Sequence, residues 1–585
     1  MRERELGRDM RECDLIMKGG ITSGVVYPCA IQEISKAYRL RSIGGSSAGA
    51  IAAAIASAAE FRRQDANSDD GFEQIGDLAG ELGTVTRQVF QPHPKMRDLF
   101  MLLMAAVSDG GGLGSIVRAA VSIYRATFLV GGFLVLVSVL LGVAAGSFWL
   151  AVLGVVLSVL ATGSLIALSI AKQVLKDLPQ HDFGLCPGLT VPGNTGPGLT
   201  NWIADRIDEV AGRSLDGAPL TIGDLETHGI ELAAMTTDLS SQRPYQLPLR
   251  SRHHFFSKAE FQRLFPARVV DYLCGDRNPG SSGLPDGPED LYPLPIGAAF
   301  PVVLVARMSL SFPGLISAVP LWRRDYTATG PDGERGAYRR CLFSDGGISS
   351  NFPVLFFDAL LPQRPTFGIS LGSWDQDRDG DERVHLSDKP IQSTHMPVRT
   401  PKGLPGFLFS IVNTAKDWQD TLQSKLPGYA ERIVEIRLDD SREGGMNLNM
   451  DPATIKMLTD YGRQAGKTLV DEFDFDENRW RRALSVLPAI ESAFQVLHNA
   501  YVNVPTGGGP DAQSYAQILT TRTPQRYKNT QDWRNDVLEP FAARLADIGK
   551  TASETPKSNL QSGDIPSQAA GVRILATADR RPAEE

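Results

Sequence analysis

The sequence predicts an α/β protein interrupted by a helical membrane hairpin. Three observations carry this. Residues 13–19, CDLIMKG, read as a strand, a helix follows from Tyr27 to about Tyr38, 39–45 read as a second strand and 48–60 as a second helix. Such β-α-β-α alternation marks an α/β sheet. Ala126 to Ala171 then contains no charged residue at all. Beyond it, strand-like segments recur at 230–237, 338–344, 366–372 and 432–438, and the pattern turns mainly helical from about 480.

A chain of 585 residues suggests one large domain with additions, or several modest ones. The boundaries read from it are 1–117 and 177–480 for the two parts of the α/β domain, 118–176 for the inserted hairpin, 481–550 for a helical region and 551–585 for a disordered tail. A hydrophobic share of 42% and a charged share of 22% describe a folded chain. The net charge of −8 predicts no nucleic-acid partner, which usually needs a basic patch. The cysteines Cys13, Cys29, Cys186, Cys274 and Cys341 are scattered and form no CxxC pair, so neither a zinc site nor a disulfide framework is predicted. The charged opening MRERELGRDMREC predicts no secretory signal. There is no internal repeat.

As a single helix the uncharged run would extend roughly 70 Å, against a bilayer core of about 30 Å. Two spans are predicted, broken near Gly146-Ser147. Gly142 and Gly146 form a GxxxG, and Gly154, Ser158 and Thr162 continue a face of small residues that lets helices approach closely in lipid. The same face would serve self-association of the hairpin between copies. Arg118 and Arg125 precede the run and Lys172 and Lys176 follow it, which places both flanks, and the catalytic domain with them, on the cytoplasmic side. The alternative is a pair of buried helices in a soluble core.

Three glycine clusters carry the chemistry. Gly44-Gly45-Ser46-Ser47-Ala48-Gly49 lies between the second strand and second helix. A serine on such a turn exposes its hydroxyl above a helix N-terminus, and small neighbours let the backbone pass close by. Lys18-Gly19-Gly20-Ile21-Thr22-Ser23-Gly24 ends the first strand. In a parallel sheet its N–H groups would face the same point as Ser47 and form an oxyanion hole. Asp345 ends a strand before Gly346 and Gly347 in SDGGISSNFP. None of the histidines (His93, His181, His228, His253, His254, His385, His395, His498) sits in a tight strand-end turn. Each cluster taken singly also fits an ordinary turn whose glycines serve only the backbone.

The ordered set KGGITSG, GSSAG and DGG, with Asn351 and Pro353 after the last and ARMSLSFPGLISAVPL (306–321) before it, resembles the patatin-like phospholipase family over roughly residues 13–375. The resemblance implies a three-layer α/β/α sheet into which the transmembrane hairpin is inserted. It implies a Ser-Asp dyad in which Ser47 attacks an ester carbonyl of a membrane phospholipid, Asp345 takes the proton, and water hydrolyses the acyl-enzyme. Gly19, Gly20, Ile21 and Ala48 would supply oxyanion donors, with Gly24, Gly45, Gly49, Gly346 and Gly347 as motif glycines. No metal or cofactor is implied. An aspartate near its usual pKa of about 3.9 is a weak base, so the dyad requires Asp345 to be desolvated beside Ser47. One departure stands out: the family's loop typically has a third glycine and an arginine where this chain has Ile21 and Ser23.

Two motifs are set aside. Asp109-Gly110-Gly111-Gly112 follows a helical pattern and reads as a helix C-terminal turn. Asp375-Gln376-Asp377-Arg378-Asp379-Gly380 begins like a calcium loop, but Leu386 stands where a bidentate glutamate is required. Two readings from other classes remain open: a membrane scaffold on an inactive hydrolase fold, and a channel or transporter. The uncharged spans speak against transport, which usually needs polar groups inside the bilayer.

Overall fold

The computed structural model describes residues 10–20, 22–107, 113–284, 287–329, 335–387, 398, 400, 403–426, 428–439, 442–444, 448, 450–507, 509, 511–521 and 530–554. The strands are β1 (Arg11–Met17), β2 (Tyr38–Gly45), β3 (Gly184–Cys186), β4 (Glu231–Asp238), β5 (Arg243–Leu247), β6 (His254–Ser257), β7 (Leu291–Pro293), β8 (Gly314–Ile316), β9 (Val319–Thr329), β10 (Arg335–Asp345), β11 (Thr366–Ser373), β12 (Val384–Leu386) and β13 (Ile433–Leu438). Eleven of them form one sheet in the order β12-β13-β11-β1-β2-β4-β10-β9-β6-β7, with β5 paired to β4. β3 and β8 make a separate two-stranded sheet.

The centre of the sheet is parallel. β1 lies between β2 and β11, β2 pairs with β4, and β11 with β13, all in the same direction. From β4 outward through β10, β9, β6 and β7 every pairing is antiparallel. The central strand is buried on both faces: all of Cys13–Met17 in β1 is buried, Asp14 included, which accepts from Arg364 at 2.7 Å. β1, β2 and β4 therefore end at one edge, where their following loops meet.

The helices before the hairpin are α1 (Tyr27–Ser35), α2 (Ala48–Ala66), α3 (Asp70–Val89), α4 (Arg97–Val107) and α5 (Leu113–Ile123). α2 packs on β1, β2 and β4 and against the helices Leu199–Val210 and Val302–Ser309. Its sequence AGAIAAAIASAAEF is rich in alanine because it is buried almost all round and lies close to the sheet. The predicted end at residue 60 is too early. Glu60 is buried but accepts the Leu40 N–H at 3.2 Å and faces Arg63 at 3.3 Å, so the helix carries on through the charged stretch. Asn67, in the left-handed conformation, terminates it. The stretch Gln91-Pro92-His93-Pro94 separates α3 from α4.

The uncharged run forms two helices, α6 (Arg125–Ala144) and α7 (Phe148–Lys172), each long and apolar enough to cross a membrane. Their large side chains face outward; Leu129, Trp149 and Leu168 are 74%, 76% and 66% exposed. The seam between them is built from small residues. A Cβ on Gly131 would meet Thr162 Oγ1 at 2.2 Å, one on Gly142 the Ala151 Cβ at 2.4 Å, and one on Gly154 the Ser138 Cβ at 2.7 Å. Ser138 and Ser158 join their hydroxyls across it at 3.3 Å. Gly154, Ser158 and Thr162 thus make the predicted face, but they spend it on α6 of the same chain. Gly146 does not belong to it: it occupies the turn at φ +62°.

The predicted division at 480/481 falls inside the helix Phe475–Val502. Arg482 on that helix is buried against the α/β domain, donating to Asp358 Oδ2 at 2.5 Å and to the Leu360 carbonyl at 3.2 Å. Further on, this helix packs against Glu539–Glu554, which runs past the predicted start of the tail at 551. Residues 555–585 and Asp109–Gly112 lie outside the described residues. Asp375, set aside as a calcium ligand, caps the short helix Gln376–Asp379, and no cluster of metal-ligating side chains occurs among the described residues.

Candidate active site

Ser47 stands between β2 and α2 at φ 53°, ψ −125°, a conformation costly for a residue with a side chain. The motif glycines make that turn possible by close approach. A Cβ on Gly45 would lie 2.5 Å from the Gly49 carbonyl carbon and 2.7 Å from the Met17 oxygen, and one on Gly49 only 2.4 Å from the Met17 oxygen. The end of β1 is therefore pressed against both sides of the turn. The Gly49 N–H donates to the Ser46 carbonyl at 2.8 Å, closing it. Gly24, in the short helical turn Ser23–Val26 just before α1, touches the start of α2: a Cβ there would sit 3.0 Å from Ala48 Cβ.

Asp345 is the last residue of β10, 4% exposed. Its Oδ1 accepts the Gly347 N–H at 2.7 Å, which fixes the carboxylate over the Asp-Gly-Gly turn. Gly346 is obligatory there, since a Cβ would fall 2.1 Å from the Met235 carbonyl oxygen of β4. The threonines of β4 hold the strand end from the side: Thr236 Oγ1 donates to the Ser344 carbonyl at 2.9 Å and Thr237 Oγ1 to the Asp345 carbonyl at 3.0 Å. Burial pushes the Asp345 pKa up to about 6, and the nearby Ser47 hydroxyl, the Gly347 N–H and the charge of Lys416 each temper that rise. The structure thus brings Ser47 and Asp345 together. Their hydroxyl and carboxylate are neighbours without a closed hydrogen bond: Ser47 Oγ donates to the Gly20 carbonyl at 3.2 Å, and Asp345 Oδ2 has no partner.

The predicted oxyanion donors are less uniform. The Gly19 N–H is taken by the Asn351 carbonyl at 2.7 Å, so it serves to hold the loop and is not a free donor. The Ala48 N–H faces the Gly20 carbonyl at 3.3 Å. The Gly20 N–H has no acceptor among the described residues. Ile21 lies outside the described residues. The Gly20 carbonyl therefore sits in front of the helix N-terminus, where an oxyanion would be bound, and accepts from both Ser47 and Ala48. Ser23 fills the space over Gly20, its Oγ 2.2 Å from where a Cβ would be.

One segment clamps both Ser47 and Asp345; it lies within the 306–321 stretch that carries part of the resemblance, but what its side chains hold was not read from the sequence. The Ser47 N–H donates to Ser309 Oγ at 3.1 Å. Two residues on, the Ser311 carbonyl accepts the Asp345 N–H at 3.0 Å and the Ser344 hydroxyl at 2.8 Å. Arg307 anchors this segment. It is fully buried and donates to Thr200 Oγ1 (3.1 Å), Ser311 Oγ (2.6 Å), the Pro187 carbonyl (3.2 Å) and the Ser317 carbonyl (2.9 Å). No carboxylate lies within ion-pair distance of it among the described residues, and burial lowers its pKa to about 10. The signal was present: an arginine inside the apolar run VVLVARMSL needs buried acceptors. On the other side, Asp420 accepts the N–H groups of Asn351 (2.7 Å) and Phe352 (2.8 Å) and the Ser350 hydroxyl (2.9 Å), holding the loop after Asp345. No histidine ring hydrogen-bonds to Ser47 or Asp345 among the described residues. His93 and His181 instead pair with each other at 2.9 Å.

No family model matches the chain. The RpoH suppressor of Rhizobium meliloti (strain 1021) is 33% identical to it over 562 residues, covering 82% of this chain and 85% of that protein. The chain belongs to the RpoH suppressor family. The crystal structure of VipD from Legionella pneumophila aligns over 94% of this chain and 81% of its own with 12% identity, at a TM-score of 0.26. That score is too low to bear on fold or function.

Proposed function

We propose that the protein is a membrane-associated serine acyl hydrolase of the patatin-like kind, cleaving fatty-acyl esters of membrane lipids. One observation carries the reading: a serine on a strained strand-to-helix turn stands beside a fully buried aspartate whose pKa is pushed up to about 6. Such an aspartate is about a hundredfold more basic than one near 3.8, yet still mostly ionised at pH 7. Ser47 Oγ attacks the acyl carbonyl carbon and Asp345 accepts its proton. The tetrahedral intermediate expels the alcohol, which takes that proton, leaving the acyl group on Ser47. Water, giving its proton to Asp345, then releases the fatty acid and restores the hydroxyl. The Gly20 and Ala48 N–H groups are the donors available to the oxyanion, once the Gly20 carbonyl turns away. The hairpin, spanning the bilayer, holds the site beside its substrate, which raises local concentration with no new contact at the site.

A second reading, a regulatory or scaffold protein on a hydrolase frame, is favoured by that Gly20 carbonyl, which occupies the oxyanion position in this structure. Release of free fatty acid from phospholipid liposomes carrying the full chain separates the two. Under the hydrolase reading the wild type releases fatty acid, and Ser47→Ala and Asp345→Asn abolish it. Equal release from all three refutes it.

A further inference from the structure

An apolar cavity of about 110 Å³ starts one residue from the nucleophile. Thr22 and Ala48 line its near end, and Ile51 and Ile55 continue along α2, with Trp202 and Phe312 on the facing walls. The wall is shared by the loop before α1, by α2, and by the segment that clamps Ser47 and Asp345. Any group entering it from Ser47 is therefore guided down the first two turns of α2.

Its size limits what fits. From Ala48 to Ile55 a helix advances about 10 Å. A C–C bond of about 1.5 Å advances about 1.3 Å along an extended chain, which gives roughly eight carbons.

We infer that this cavity is an acyl-chain site for medium chains, of roughly eight to ten carbons, with Ile55 as the lining residue of α2 farthest from Ser47. This rests on the hydrolase reading above and narrows it: the acyl group that reaches Ser47 is a medium-chain one, and the sixteen- to eighteen-carbon chains of ordinary bilayer lipids overrun the cavity.

The test has a catalytic and a binding arm, both on the full chain in a detergent without an alkyl tail. In the first, kcat/KM is measured for p-nitrophenyl esters of two to sixteen carbons. The expected profile peaks at eight to ten carbons and is at least tenfold lower at sixteen. Ile55→Trp moves the peak to four to six carbons, and Ile55→Ala moves it two or more carbons longer. In the second, quenching of tryptophan fluorescence by 8-bromooctanoate is measured in the Ser47→Ala background. The expected quench is saturable, competed by octanoate and not by hexanedioate, and reduced in Trp202→Phe and in Ile55→Trp. A profile that is flat or still rising at sixteen carbons, or one that both Ile55 variants leave unmoved, overturns the inference even if the enzyme is active. If no ester is cleaved, the binding arm decides alone. A quench that Ile55→Trp removes upholds the acyl site while the hydrolase reading falls, and absence of a saturable quench overturns the site as well.

Discussion

Replacing Asp345 by asparagine should make the protein more stable while it destroys activity, and the gain should depend on pH. The carboxyl pKa rises from the usual 3.8 to about 6 in the folded state, chiefly because burial disfavours the charge. The folded chain therefore binds this proton more tightly than the unfolded chain, and stability falls as pH rises from below 3.8 through 6. The shift of about 2.2 units amounts to about 3 kcal/mol at pH 8, where it acts in full, and to about 1.6 kcal/mol at pH 5. Asparagine does not titrate and escapes the penalty, while its side-chain oxygen can still accept the Gly347 N–H that Asp345 Oδ1 accepts at 2.7 Å. Thermal unfolding of wild type and Asp345→Asn at pH 5 and pH 8 measures this. The variant should melt a few degrees higher at pH 8 and less so at pH 5. A gain equal at both pH values, or a loss at pH 8, would refute the account of a desolvated carboxylate.

Three further outcomes follow from the same geometry. Acyl-ester hydrolysis should rise with pH and reach half its plateau near pH 6, as Asp345 gives up its proton; a midpoint near 4, read from initial rates between pH 4 and 8, would show Asp345 to be solvated. Arg307→Lys should lower kcat at least tenfold with little change in KM and lower the melting temperature, because a point charge cannot serve the four acceptors that Arg307 reaches; steady-state kinetics that show a KM effect alone would contradict a positioning role. Gly142→Leu should weaken the hairpin, since even a Cβ there would lie 2.7 Å from Ala151 backbone; the expected result is a lower melting temperature in micelles with kcat on a soluble ester retained.

What the sequence revealed depended on how local the physics was. Gly45 and Gly49, on either side of Ser47, are bound by close contacts with the end of β1, and a close contact that only glycine tolerates leaves a mark in the residue itself. The seam of α6 and α7 was legible for the same reason, except at Gly146, where the turn and not the interface needed the glycine. On the antiparallel side of the sheet only β10 was read. β6 and β7 join the sheet only by pairing across long separations, with each other and with β9. Asp420 was invisible too, because its worth comes from N–H groups about seventy residues away. The oxyanion loop shows the sharpest limit. Glycines mark where the backbone comes close, but not which way a peptide faces, so the Gly19 N–H and Gly20 carbonyl were beyond the sequence.

The order of strands also sets a timetable for synthesis. β1 and β2 leave the ribosome first, yet the other neighbour of β1 is β11 and that of β2 is β4, both made after the hairpin. Thr366 of β11 lies 349 residues beyond Met17 (366 − 17), the end of β1. At about 5–20 residues per second that interval lasts roughly 20–70 seconds. The β1 edge of the strand pair that carries Ser47 stays open throughout it and the β2 edge until β4 is made, and α6 and α7 emerge while both are still open. A hairpin that engages the bilayer at that moment would tether the unfinished sheet at a surface, away from other nascent chains whose strands could pair with it.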